Sequence, residues 1–216
     1  ITNRAEKVMA WTKYTTAGDI MDVAVVEDVV YLYVKRTINS STVYHVEALD
    51  NSYYTDASKQ VTQSASATVS GLSHLNGQSC RVRADSAVMA NATPSSGSIT
   101  LSRTATNIEV GINFDVTIKT MPSAVTLQSG PVSTKKRRIS RVSAQLHQSS
   151  GLKVNGKSVT NKSFGANVLG QAPEAFTGIK TLPILGYSKT AQVTVTQTDP
   201  LPMTLLGLTI ELQVTG

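Results

Sequence analysis

The sequence predicts an all-β protein, and three observations carry that expectation. Apolar residues recur with period two over short runs, as in Val142, Ala144 and Leu146 and again in Leu208, Ile210, Leu212 and Val214. That spacing puts one face of a strand against a core and the other in water. Gly, Asn, Ser and Pro fall between those runs, where a chain reverses. No segment shows the i, i+3, i+4 spacing of a convincing amphipathic helix. Composition agrees: of 216 residues, 40% are apolar and only 16% charged, below the roughly 25% of an average soluble domain. Ser, Thr, Asn, Gln and Gly fill the gap, which suits many turns and a surface partly covered by other subunits.

The chain divides into three blocks. Residues 1–50 carry strands of the main β domain. Within Asp22 to Arg36, DVAVVEDVVYLYVKR, Tyr31 and Tyr33 share one face and Val30, Leu32 and Val34 the other, as in an interior strand covered on both faces. Glu27-Asp28 makes the reversal before it, and Asn39-Ser40-Ser41 the turn into Thr42 to Leu49. With Trp11 and most of the tyrosines, this block is expected to pack most densely. Residues 51–120 give short strands at Ala67–Val69, Ser79–Ala84, Ser98–Arg103 and Thr106–Gly111, with a Pro94-Ser95-Ser96-Gly97 turn. A compact barrel or small sandwich is their natural product. Residues 121–216 give a sheet or sandwich from Ile139–His147, Ala191–Thr198 and Leu205–Val214. Between these strands a Gly- and Asn-rich excursion, 149–186, forms either loops or a contact arm.

Charge is unevenly placed. From Val116 to Pro173 there are nine basic residues and no acidic one, while the rest of the chain holds eleven basic against fourteen acidic. The densest cluster is Lys135, Lys136, Arg137 and Arg138 with Arg141. Such a tract binds phosphates by charge and counterion release. No aromatic stands beside it to stack on bases, so a solvated or intersubunit charge cluster, or one facing an acidic partner, is favoured over sequence-specific nucleic-acid binding. There is no run of eighteen apolar residues and no signal peptide, so no membrane span is expected. Ile1 in place of Met points to a piece of a longer protein or a processed product.

Catalytic and cofactor patterns fail one by one. Gly151 to Ser158, GLKVNGKS, fits the phosphate-binding loop expression. That loop needs a helix after it, but Val159 to Gly170 is β-branched, Asn-rich and broken by Gly165, and no acidic residue lies nearby for magnesium. Asn155-Gly156 reads instead as a two-residue hairpin turn. Cys80 is the one cysteine, which excludes an internal disulfide; on an alternating strand it is a small buried apolar side chain. His45, His74 and His147 lack the paired spacing of a zinc site, and no two acids sit as in a hydrolase. The sequons at Asn39, Asn91 and Asn161 are expected by chance at this composition. The chain is therefore expected to be no enzyme and to need no cofactor.

Thr68 to Asp85, TVSGLSHLNGQSCRVRAD, joins a strand end, a Gly-Leu-x-His-Leu-x-Gly turn and a second strand. It resembles the G-L-x-H-L-x-G-x-x-V-x-V-x-A-D segment of tail tubular protein B, the nozzle of short-tailed phages and prophages, with Ser79-Cys80 in the usual aliphatic region. Ala10 to Tyr14 resembles that family's A-W-x-x-(H/Y) lead, and YHVEALD at Tyr44 to Asp50 its Y-x-(V/I/L)-E-x-(L/M) strand. Val110-Gly111 and Thr120-Met121-Pro122 are similar to its exit strand, and Lys135 to Arg141 to a K-x-(R/K)-(I/V) strand start. Phe176-Thr177-Gly178 and Asp199 to Thr204 resemble its F-T-G and D-P-L-P-x-T elements. The order of these matches over nearly the whole chain is more specific than any one of them. The resemblance implies a small β-barrel or sandwich inserted between strands of a larger antiparallel sheet or sandwich. It also implies a homo-oligomer, usually a six-membered ring, around a DNA-exit channel in the virion, contacting other tail and adaptor proteins and made in a bacterial cytoplasm. A channel that lets DNA pass should not hold phosphates tightly, so the basic tract is expected at an intersubunit or adaptor contact. A β-sandwich module binding a cell-surface glycan is the alternative; few aromatics after Tyr54 argue against it.

Overall fold

A computed structural model of the chain describes residues 2–3, 8–9, 13–123, 126–127, 130–131, 136–160, 172 and 174–214. The all-β expectation holds: among the described residues the only helical element is one 3₁₀ turn, Ser73–Leu75. A short ladder of β1 (Thr2–Asn3) with β2 (Val8–Met9) comes first. Then β3 (Asp19–Val26), β4 (Val29–Ile38) and β5 (Ser41–Ala48) form an antiparallel sheet in that order. Its turns, Glu27-Asp28 and Asn39-Ser40, hold both residues at positive φ, 50° and 66° and then 47° and 62°. This mirror-image turn matches the twist of the strands it joins.

The structure corrects the reading of this block as densely packed. β4 is central in its sheet, but only Val34, Arg36 and Ile38 on one face are buried. Tyr31 and Tyr33 on the other face are exposed, as is every residue of β3. β-branched and aromatic residues favour strands by shape, whether or not anything covers them. Trp11 lies outside the described residues.

The second sheet contains β6 (Asp56–Ser70), β7 (Arg81–Ala84), β8 (Ala87–Val88) and β9 (Ser98–Ile112) in the order β6-β9-β7-β8. The sequence divides β9 into two strands and sees only the last residues of β6; both are single strands of 15 residues. Their pairing slips at three places, which breaks the alternation that sequence reading depends on. The sheet stays open and does not close into a barrel. Its core joins Val82, Ala84, Ile108 and Val110 to Leu72 and Leu75 of the Gly-Leu-x-His-Leu-x-Gly turn, all fully buried. That turn is locked to the Pro94–Gly97 turn: Leu72 N donates to Gly97 O, Gly77 N to Pro94 O, and Gly97 N to Asn76 Oδ1.

The third unit is a sandwich. Its strands in chain order are β10 (Val116–Lys119), β11 (Thr126–Leu127), β12 (Gly130–Pro131), β13 (Arg137–Ser149), β14 (Lys153–Val154), β15 (Lys157–Ser158), β16 (Phe176–Pro183), β17 (Tyr187–Ser188), β18 (Thr194–Gln197) and β19 (Thr204–Val214). β13 is the spine, with β19 along one edge and β16 followed by β17 along the other. A second sheet, β10-β18-β14-β15, packs on it. Val142, Ala144 and Leu146 meet Leu152, Val154, Val193 and Val195 in a shared core. β10, grouped by sequence with the preceding block, pairs with β18 here. The 149–186 excursion is also corrected. It contains β16, a full partner of β13, besides the β14–β15 hairpin; residues 161–171 lie outside the description. The phosphate-loop look-alike is that hairpin, turning at Asn155-Gly156 with φ 45° and 78°.

Candidate functional site

Among the described residues, the outer face of the β3-β4-β5 sheet carries a group of exposed apolar side chains. Register places Val26 beside Val29, Ala24 beside Tyr31 and Ala48, and Tyr33 beside Val46, in successive rows on one face. Tyr33 and Tyr44 stack there with ring centroids 5.6 Å apart. Val46 is 71% exposed and Tyr44 54%. Eight residues by three strands span roughly 26 by 14 Å, an area comparable to the largest patch on an ordinary monomer and interrupted by Asp22 and Lys35 in the same rows. It is about half of the roughly 800 Å² that each partner gives to a standard interface. Asp19, Asp22 and a bulge between Ile20 and Asp22 mark the free edge of β3. Charges and bulges discourage edge-to-edge pairing, so contact through the face is favoured over strand addition.

The other face of this sheet turns toward the second unit and carries a polar joint. Arg36 is 1% exposed and donates from Nε and Nη2 to both oxygens of Glu47, at 2.6 and 2.7 Å, and from Nη1 to Ala17 O at 3.0 Å. A two-pronged pair of this kind fixes geometry as well as charge. Asp56, at the start of β6, accepts from Thr16 Oγ1 and Ala17 N, so the lead into β3 is tied to the second sheet. The joint also gathers what sequence spacing kept apart. His45 Nδ1 lies 3.6 Å from Glu47 Oε1, and the His45 and His74 rings meet edge to face at 6.2 Å. His74 Nε2 in turn contacts Ala57 O at 3.1 Å. Among the described residues no group of three His, Cys, Asp or Glu is placed to hold a metal. An open cleft of about 780 Å³ lies over this joint, lined also by Tyr14, Tyr53 and Phe114.

The basic tract is not one surface. Lys135 lies outside the described residues, and Lys136 is exposed just before β13. Arg137 turns inward, 3% exposed, and donates to Ser123 O. Arg138 faces the opposite way, half-buried, and its Nε makes no hydrogen bond among the described residues. Past a bulge at Ser140, exposed Arg141 stands opposite Glu211. Among the described residues of the tract, Lys136, Arg138 and Arg141 therefore remain to meet a partner. The expression K-K-R-R hides this alternation, and the period of Val142, Ala144 and Leu146 would turn Arg138 inward; the bulge at Ser140 shifts the phase so that Arg137 is the buried one.

Cys80 is fully buried, its thiol donates to Gln78 O at 3.3 Å, and burial pushes its pKa up to about 11. A thiol held protonated is a poor nucleophile. No helix among the described residues is long and apolar enough to cross a membrane. No protein-family model matches the chain, and no curated protein matches it.

Proposed function

We propose that this chain is a structural subunit of a phage or prophage tail, in the nozzle or tail-tube position of the virion, and that it works by assembly. Copies would surround a channel for DNA and meet neighbouring tail and adaptor proteins. The observation that carries the reading is the uncovered Tyr31–Tyr33–Tyr44–Val46 face, half the size of a standard interface. A ring subunit touches two neighbours, so several such patches per subunit suffice. The ordered run of resemblances from Ala10 to Thr204 supports the same reading.

The test is negative-stain electron microscopy of the parent protein, alone and with its neighbouring tail components. Rings with a central channel are expected. Tyr33→Glu with Val46→Glu should abolish them while far-ultraviolet dichroism stays unchanged, since both side chains are exposed. Monomers in every sample, or rings indifferent to the double substitution, would remove the reading or its surface respectively.

A further inference from the structure

The cleft over the polar joint has the chemistry of a saccharide site. Aromatics are scarce in the second half of the chain, yet the fold brings Phe114 to the same cleft as Tyr14 and Tyr53, from three separate segments. Tyr14 is 69% and Phe114 38% exposed, so their rings are available to a ligand. Aromatic rings offer large flat apolar contact at little conformational cost, which the C–H faces of a sugar ring can use. The volume, about 780 Å³, lies within the range of roughly 300–1,000 Å³ for small-molecule sites. The cleft is open, which admits a chain of rings.

Polar groups at the cleft complete the pattern. Asp50 spends only Oδ1, on Ser52 N and Oγ, and Asp56 only Oδ2, on Thr16, Ala17 and, at 3.9 Å, Arg36 Nη1. The second oxygen of each carboxylate, and the Asn51 amide, make no hydrogen bond among the described residues. Carboxylate oxygens accept strongly from hydroxyl groups. The floor is closed by the Arg36–Glu47 pair, whose charges cancel. What remains is net negative from Asp50 and Asp56, which repels phosphates, sulfates and uronic acids. We propose that this cleft binds a neutral oligosaccharide, with Tyr14 and Phe114 as stacking platforms and Asp50, Asn51 and Asp56 as hydroxyl acceptors. The assignment holds for a free chain as for a ring subunit.

The test is calorimetric titration of the full chain with maltotriose, cellotriose, triacetylchitotriose and galactobiose, beside trigalacturonate and spermidine. Saturable binding of at least one neutral sugar is expected, weakened about tenfold or more by Phe114→Ala and by Asn51→Ala. The second variant lies in an exposed loop and spares the fold. Ile179→Ala, exposed on β16 of the third unit and outside the cleft lining, should leave affinity unchanged. The proposal is overturned by no saturation with any neutral sugar up to about 10 mM. Tighter binding of trigalacturonate, binding of spermidine alone, or loss in Ile179→Ala equal to that in Phe114→Ala would overturn it as well.

Discussion

Gly111 shows how one missing side chain holds two segments together. A Cβ built there would stand on Thr55 Oγ1 and 2.6 Å from Asp56 O. Its backbone is not in a left-handed conformation, so the constraint is space. Thr55 is itself fixed, donating to the 4%-exposed Glu109, which also accepts from Tyr54 N at 2.6 Å and pairs with Arg83 at 3.3 Å. Neither the Thr55 backbone nor Glu109 has room to retreat. Gly111→Ala should therefore cost about 2 kcal/mol, within the usual range for overpacking, read as a lower urea midpoint. Gly156→Ala makes the contrast: its Cβ would meet nothing within 4 Å, and any loss there comes from the positive φ alone. Unchanged stability in Gly111→Ala would mean that space is not what Gly111 supplies.

At the scale of elements, a carboxylate ties the turn of the β7–β8 hairpin to β9, beyond the backbone ladder that joins β7 to it. Asp85 Oδ1 accepts from Asn107 N, Thr106 Oγ1 and Thr106 N, and Arg103 stands 3.8 Å from its other oxygen. These bonds, led by that from Asn107, hold its pKa below the usual carboxylate value. A group whose folded pKa is depressed contributes stability above its unfolded pKa, near 3.9, and loses it as pH falls through the folded value. Asp85→Asn should thus lower Tm by a few degrees at neutral pH and converge on the parent as pH falls through the lowered folded pKa. Parallel melting curves at every pH would show that the charge is not what binds the hairpin. Such hairpins are the legible part of the sequence. Glu27-Asp28, Asn39-Ser40 and Asn155-Gly156 turn where residue type says, and Val142, Ala144 and Leu146 face the core as their period requires. β16 is illegible because Gly178, Lys180 and Pro183 hide its alternation, although Phe176 and Leu182 pack on the core. The cleft is illegible for another reason: Tyr14, His45, His74 and Phe114 come together only through tertiary contact, and no local spacing encodes that.

For the whole molecule, the unequal charge along the chain becomes a question of which cations reach outside. The inward turn of Arg137 means that reversing the whole tract would injure the sandwich and confuse misfolding with lost assembly. Lys136 and Arg141 are exposed and can be reversed without disturbing the core. Across the outer face of the β13 sheet they are followed by neutral groups: Ser143 and Thr181 share a hydroxyl bond of 2.8 Å, with Thr209 in register beside them. DNA sliding along this face would meet hydroxyls and few charges, whereas an acidic partner at the Arg137 end of β13 would meet both cations. Lys136→Glu with Arg141→Glu should then impair assembly with the neighbouring tail components and leave DNA retention unchanged. The assembly defect should shrink in about 1 M salt, where exposed charges are screened within about 3 Å and the parent complex loses the same contribution. Lost DNA binding with intact assembly would move the tract from a protein contact to the channel, and would make phosphate the acidic group it meets.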